Sequence, residues 1–415
     1  MSATSPGIGH RRTSLSGRLG RMVVACPVPV RAFFVSRLIV LGAGVAGALA
    51  VPRRIGWSMF DPLGLSARLG SVGDVLAAPA VRWDSIHYLG IAEHGYAAAG
   101  NTAFFPLYPL LMRALGFVLG SDPLAGVAIS TASFMVALSL LHRLTELELG
   151  RRAADATVLL LAFAPLSFFF TAVYTESLFL ALSLGAVYAA RRERWALAAG
   201  VGGLAAVTRV TGILLVIPVA AMYLAERRRR RRWSGLGWFL VMPAAVAGFL
   251  GYLAIRGYGA LAPLTQQTGA EHGHRLTGPI ETSVAAVRAA AAGLRSLGAG
   301  PIYQPTLGGP FPAGTESIVL LAVLAIAVLA LVAAFRRLPL AYVAYACAAL
   351  LVCTWSPVAG QPLKSLDRYA LTIFPLWMGA GAWISERRMG RATLLVSVAL
   401  LAFWTLQFAT WTWVA

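Results

Sequence analysis

Asp84 stands in the densest collection of reactive side chains in the sequence, the stretch RWDSIHYLGIAEHGYAAAGNTAFFPLYPLLMR from Arg82 to Arg113. Trp83, Asp84, His87, Tyr88 and Ile91 fall at i, i+1, i+4, i+5 and i+8, which predicts one aromatic helical face carrying an acid. Glu93 and His94 follow within the same stretch. Elsewhere the ionisable residues that stand out are Glu176 in YTES, Arg209 in TRVTG, and Lys364, Asp367 and Arg368 in KSLDRY. A positioned carboxylate can take the proton of an attacking hydroxyl. Arg and Lys can stabilise a departing phosphate, most strongly where water is scarce. Together these groups suit glycosyl transfer from a lipid-phosphate sugar. A non-enzymatic carrier or flippase of a lipid-linked saccharide is the alternative, since transporters also gather charges at the membrane. Each residue also has a plainer reading: Asp84 and Glu176 as helix caps, the three cations as interfacial side chains snorkelling to water.

The elements that must position these groups are membrane helices. The 415 residues are 58% hydrophobic and 12% charged, too little polar side chain to cover a water-soluble domain. The net charge of +19 comes as short arginine clusters between apolar runs, not as one basic face, which argues against nucleic-acid binding. Cys26, Cys347 and Cys353 show no metal-ligand spacing. No G-x-G-x-x-G follows a strand pattern and no Walker A loop is present. Apolar runs predict spans near 32–51, 122–142, 155–173, 177–190, 195–208, 210–225, 234–255, 316–335, 339–357, 367–385 and 392–413, roughly eleven transmembrane helices. Residues 1–31 read as a disordered basic cytoplasmic tail, and 32–413 as one transmembrane domain with outer loops 52–121 and 256–315.

Charge placement orients the chain. With the basic tail inside, Arg143/Arg151/Arg152, Arg191/Arg192/Arg194, Arg227 to Arg232, Arg336/Arg337 and Arg387/Arg388/Arg391 all fall on the cytoplasmic side. That agreement requires residues 104–119, with Pro106 and Pro109, to be re-entrant or interfacial and not to cross. Asp84, Glu93, Glu176, Arg209, Lys364 and Arg368 then collect on the outer face, where the positive-inside rule does not account for cations. A transporter would line a path through both faces, so the clustering favours an enzyme. The connection 257–315 carries Gln266, Gln267, Glu271, His272, His274 and Arg275, with a helical piece expected at 281–297.

RWDSIHYLGIAEHGY followed by AFFPLYPLLMR resembles the signature of the PIG-V-type mannosyltransferases. FFFTAVYTESLFLALSL, LAAVTRVTGILL and DRYALTIFPLW resemble that family's later motifs, in the same order along residues 82–385. The resemblance implies a GT-C-like, all-α polytopic fold and a polyprenyl-phosphate sugar donor. It implies transfer, of mannose above all, to a glycolipid, glycan or protein acceptor at the extracytoplasmic face of the cell membrane. It puts Asp84 in the place of the catalytic acid and Glu176, Arg209 and Arg368 at the other polar motif positions. Trp83, His87, Tyr88, Glu93 and Lys364 join these as substrate-binding candidates. In LTQQTGAEHGHR, Gln267 and Arg275 match a Gln and an Arg of the family, with His272 where a tryptophan is expected. His87 likewise replaces an aromatic residue. No D-x-D surrounds Asp84, so no tightly bound cofactor is expected and dependence on a divalent metal stays open.

Overall fold

The computed structural model describes residues 27–50, 59–67, 69–230, 235–268, 275–298, 300, 303, 311–355, 357–387 and 390–414. Among these, regular structure is helical throughout, and the one β-type pairing is an isolated bridge between Val358 and Gln361. In chain order the helices are α1 (Val28–Ala50), α2 (Gly70–Leu76), α3 (Ser85–His94), α4 (Leu107–Leu119), α5 (Asp122–Leu149) and α6 (Arg151–Ala162). They continue as α7 (Glu176–Arg191), α8 (Trp195–Ala206), α9 (Val216–Arg230), α10 (Val241–Ile255), α11 (Ala262–Thr268) and α12 (Pro279–Ser296). The last are α13 (Ala313–Phe335), α14 (Leu340–Cys353), α15 (Leu366–Ala370), α16 (Phe374–Ser385) and α17 (Gly390–Ala409). The tail expected at 1–31 lies outside the described residues as far as residue 26, and the arginine run 227–232 lies partly outside them.

Among the described residues, six helical stretches are long and apolar enough to cross a membrane: Val28–Leu49, Asp122–Leu149, Val210–Arg228, Leu236–Ile255, Ala313–Phe335 and Gly390–Ala409. Leu107–Leu119, Trp195–Ala206 and Leu340–Cys353 are apolar but shorter. Large aliphatic side chains on the long helices are bare, Leu329 at 69% and Leu395 at 72% exposure, as surfaces that face lipid must be. Two expected spans are broken. The run 155–173 is not one helix, because α6 stops at Ala162, ahead of Pro165, and the chain then winds through a 3-10 turn, Ser167–Phe170. The run 367–385 divides into α15 and α16 at residues 371–373, just before Pro375 restarts the helix. Pro106 and Pro109 do not kink a helix: they sit at the cap and first turn of the 13-residue α4, which ends at left-handed Gly120. At ~1.5 Å per residue α4 is about 20 Å long, short of the ~30 Å hydrocarbon core.

Local sequence sets these corners. Ser121 caps α5 by accepting the Leu124 amide, and Asp122 places a negative charge at the positive end of the helix dipole. Gly150 both ends α5 and opens α6 at φ +84°, a corner that an L side chain would strain. α5 packs against both α6 and α7, α7 packs against α8, and α16 lies between α6 and α13. There Gly379 leaves no room for a Cβ against the Ala330 carbonyl and Ala334 amide of α13, while Gly381 meets Thr157 of α6. Small residues that let backbones approach are how helices adhere in lipid, where burial of apolar surface gives no net drive.

The unwound chain between α6 and α7 is satisfied from α1. The Arg37 guanidinium donates from Nη1 to the Ser167 carbonyl and Thr171 Oγ1, each at 2.8 Å, and from Nη2 to the Ala162 carbonyl at 3.4 Å. Irregular backbone at membrane depth persists only where protein supplies such partners. This braced stretch delivers Tyr174, Thr175 and Glu176. Two polar networks occupy opposite ends of α7: Glu176 opens it, and Arg191 near its end bonds Glu148, which also accepts from Tyr342 at 2.8 Å. Fifteen residues separate the two ends, about 22 Å of helix.

Candidate active site

Four ionisable side chains from four separate segments join in one alternating chain. Asp84 Oδ2 accepts from Arg368 Nη1 at 2.7 Å, Arg368 Nε lies 3.7 Å from Glu176 Oε1, and the same Glu176 oxygen accepts from Arg209 Nη1 at 2.6 Å. Two carboxylates and two guanidiniums sum to zero, the arrangement that makes burial of four ions tolerable. Side-chain exposure rises outward along the chain, from 1% for Glu176 and 8% for Arg368 to 17% for Arg209 and 22% for Asp84. Asp84 is therefore the more accessible of the two carboxylates, and Glu176 the one that meets both cations.

Backbone geometry aims Asp84. Trp83 is not on the helical face with Asp84, His87 and Tyr88, as its spacing suggests; it sits at φ +55°, ahead of α3. The left-handed turn sends its indole to Phe60, Trp411 and Trp413, with ring centroids 4.6, 5.8 and 5.0 Å away. Asp84 occupies the N-cap position of α3, but its side chain makes no capping bond and goes to Arg368. Its amide donates to Tyr174 Oη at 3.2 Å. Arg368 enters after Ser365, another left-handed residue at φ +63°. Its guanidinium lies over the rings of Tyr174 and Tyr369, 5.5 and 5.2 Å from the centroids, and that of Arg209 is also 5.2 Å from Tyr369.

Burial alone would lower the pKa of the Arg368 guanidinium, yet the Asp84 and Glu176 carboxylates hold it well above the ordinary arginine value. Arg209 is raised against the same burial by Glu176. Burial pushes the Asp367 carboxyl up to about 6 although it accepts the Arg368 amide at 2.9 Å. The neighbouring phenols are raised too: burial first and then Glu176 act on Tyr88, burial and then Asp84 on Tyr174.

The other expected site residues divide. His87 stacks on Phe104, centroids 4.6 Å apart, and its Nδ1 lies 3.2 Å from Asn101 Oδ1, so it stands fixed beside the acid. Tyr88 is buried, and its hydroxyl meets Thr175 Oγ1 at 3.3 Å, which in turn accepts from Arg209 Nη1 at 3.2 Å. Lys364 lies over Trp413, Nζ 4.8 Å from the ring centroid. Glu93 is not gathered in: nine residues beyond Asp84 on α3, about 13 Å along the axis, its carboxylate lies 4.0 Å from His94. Gln267 is on α11, which packs against the 3-10 turn Ala99–Ala103 that carries Asn101. The Arg275 side chain is exposed, and its amide bonds the Pro357 carbonyl at 2.9 Å. His272 lies outside the described residues. Tyr174, Thr175 and Tyr369 lie inside the quoted motifs yet carried no signal beyond aromatic or hydroxyl character. Trp411 and Trp413 were missed; tryptophans at the end of an apolar run read as membrane-interface anchors. Among the described residues no group of three or more His, Cys, Asp or Glu is placed to share a metal ion.

Residues 58–224 match the model of the family described as Mannosyltransferase (PIG-V). The chain is 33% identical over 177 residues to GPI mannosyltransferase 2 of Yarrowia lipolytica, an alignment covering 42% of this chain and 46% of the relative. It is 32% identical over 167 residues to GPI alpha-1,6-mannosyltransferase 2 of Rattus norvegicus, covering 34% and 33%. To the protein of that name in Cricetulus griseus it is 37% identical over 127 residues, covering 28% and 26%. The chain thus spans less than half the length of these curated relatives. No solved structure matches it. The matched region holds Asp84, Glu176 and Arg209; Arg368, which joins Asp84 to Glu176 in space, lies beyond it, as does Lys364.

Proposed function

We propose that this chain, PIG-V-type in sequence over residues 58–224, is an integral-membrane mannosyltransferase working from a polyprenyl-phosphate mannose donor at the extracytoplasmic face. The observation that carries the reading is the Asp84 carboxylate at the open end of a buried, neutral ion network, held by Arg368 at 2.7 Å. In the reaction the acceptor O–H gives its proton to Asp84 as its oxygen bonds the anomeric carbon. The bond from that carbon to phosphate oxygen breaks, the phosphate leaves with the electron pair, and the configuration inverts. Arg368 orients the base, and Glu176 with Arg209 fixes Arg368. The acceptor is a glycolipid, glycan or protein hydroxyl.

The same reading takes residues 32–413 as one GT-C-like domain of roughly eleven crossings, with α4 lying in the interface. The network at the start of α7 faces outward, and the arginine-rich end faces the cytoplasm. Charges gathered at one end of α7, together with relatives named as transferases, favour the enzyme over a carrier. The test is transfer from polyprenyl-phosphate mannose by purified protein in liposomes, alongside the glycolipid profile of cells lacking it. No transfer to any glycolipid, glycan or protein acceptor, with an unchanged profile, would overturn the reading.

A further inference from the structure

The ion network leaves a question of charge. Arg368 and Arg209 are the cations nearest Asp84, yet both are already engaged by carboxylates, so the network as a whole offers a phosphate no net attraction. Beside it lies a different environment. The Lys364 ammonium rests over the Trp413 ring and makes no ion pair among the described residues. Glu316 feels the Lys364 charge, but its own carboxylate accepts from the Gln361 amide. Trp413 meets Trp83 edge-on, 5.0 Å between centroids, and Trp83 is the residue before Asp84. The indole Nε1 atoms of both tryptophans are buried without a hydrogen-bond partner, and Trp83 is 8% exposed.

An indole N–H only donates, and an ammonium donates three times and accepts nothing. Two buried indole N–H groups without a partner, on rings that meet edge-on beside a half-buried ammonium, are costly unless something supplies oxygen lone pairs. We propose that Lys364, Trp413 and Trp83 form an anion subsite that receives a phosphate group next to Asp84. Resting on the transferase reading, this phosphate is that of the lipid-linked donor, whose charge grows by about one as it departs. The C-terminal Trp413 thereby becomes a substrate-binding residue, and Arg209 and Arg368 become positioning residues for the carboxylates.

The test uses the full chain in detergent and three probes: farnesyl phosphate, farnesol and inorganic phosphate. The parent protein should bind farnesyl phosphate about tenfold more tightly than farnesol, or better, the size of one charge-assisted contact. Lys364→Met should bring that ratio below about twofold while farnesol affinity, which reports a folded protein, is kept; Lys364→Arg should preserve the ratio. Trp413→Phe, which keeps a ring and removes the N–H, should lower the ratio about threefold. A parent ratio near one, or a Lys364→Met protein that keeps the full preference, would overturn the subsite. Competition by millimolar inorganic phosphate would identify a site for any phosphate, and its absence a site for phosphate borne on lipid. Preference for farnesyl phosphate through Lys364 without mannose transfer would leave the subsite standing and sink the transferase reading. Active transferase with an unaltered Lys364→Met ratio would do the reverse.

Discussion

The two carboxylates of the network should respond in opposite ways to loss of charge, and comparing Asp84→Asn with Glu176→Gln separates the base from the residue that holds the scaffold. Glu176 is 1% exposed and serves two guanidiniums through one oxygen, at 2.6 and 3.7 Å. Neutralising it leaves two buried cations with one carboxylate, and removing one partner of a buried pair costs about 3–5 kcal/mol. Asp84 is 22% exposed, and after Asp84→Asn the guanidinium of Arg368 keeps Glu176. That change should cost stability only about 1–2 kcal/mol, the value of a charge-assisted hydrogen bond at a partly wet site. Turnover should divide the other way: Asp84→Asn removes the proton acceptor and should lower it roughly 10²–10⁴-fold. Glu176→Gln should retain measurable turnover per folded molecule. Thermal unfolding followed by tryptophan fluorescence, with mannose transfer measured in liposomes, supplies both readouts. Parental turnover in well-folded Asp84→Asn would refute the mechanism, as would a Glu176→Gln protein of parental stability with turnover as low as that of Asp84→Asn.

Asp84→Glu, which moves the carboxylate by about one methylene, should lose on the order of 10²-fold in turnover, since misplacement of ~1 Å costs that much; an unimpaired variant would count against a positioned base. Asp367 has its folded pKa raised by burial to about 6, so it favours the folded state while protonated and penalises it as pH rises through that value. Asp367→Asn should therefore stabilise the protein above pH 6, by at most about 3 kcal/mol, and the gain should vanish toward pH 4; a gain independent of pH would show that Asp367 is not the group. In a chain freed of its native cysteines, Gly100→Cys should react with an impermeant thiol reagent from outside intact cells and Arg192→Cys should not; reaction at the second position would reverse the proposed topology.

Element positions were legible because lipid imposes a length and a polarity on spanning helices. The run 316–335 became α13, and the piece expected at 281–297 became α12, which packs against it. The divisions after Ala162 and after Ala370 were less legible, because hydropathy is blind to a break that stays apolar. What repairs the first break is Arg37, more than a hundred residues away in sequence. Within the site, the four ionic partners stand out as charges in an apolar chain, but their order does not. That Glu176 joins Arg209 to Arg368, and that Arg368 reaches Asp84, depends on how α3, α7, α8 and α15 meet. Trp83 was misplaced for a definite reason: periodicity assumes continuous helical φ, and the chain enters α3 through a left-handed residue.

That left-handed residue belongs to a pattern. Four non-glycine residues of the described chain have positive φ: Trp83, Glu193, Ser365 and Trp411. Three flank the candidate site: Trp83 precedes the acid, Ser365 the Lys364-to-Arg368 turn's arginine, and Trp411 the final Trp413. An L residue in this region costs roughly 1–2 kcal/mol, so each needs compensation from its surroundings. For Trp83 and Trp411 the compensation is visible in Arg82, which donates to the carbonyls of Val81 at 2.9 Å and Ala409 at 3.1 Å and lies over the Trp411 ring at 5.0 Å. One guanidinium thus ties the entry to the acid to the end of the last long helix, and the tryptophans packed between them hold that junction. The strain turns Trp83 away from the α3 face and toward Trp413, leaving Asp84 to Arg368, so that the proposed proton acceptor and the proposed anion subsite adjoin without sharing a cation.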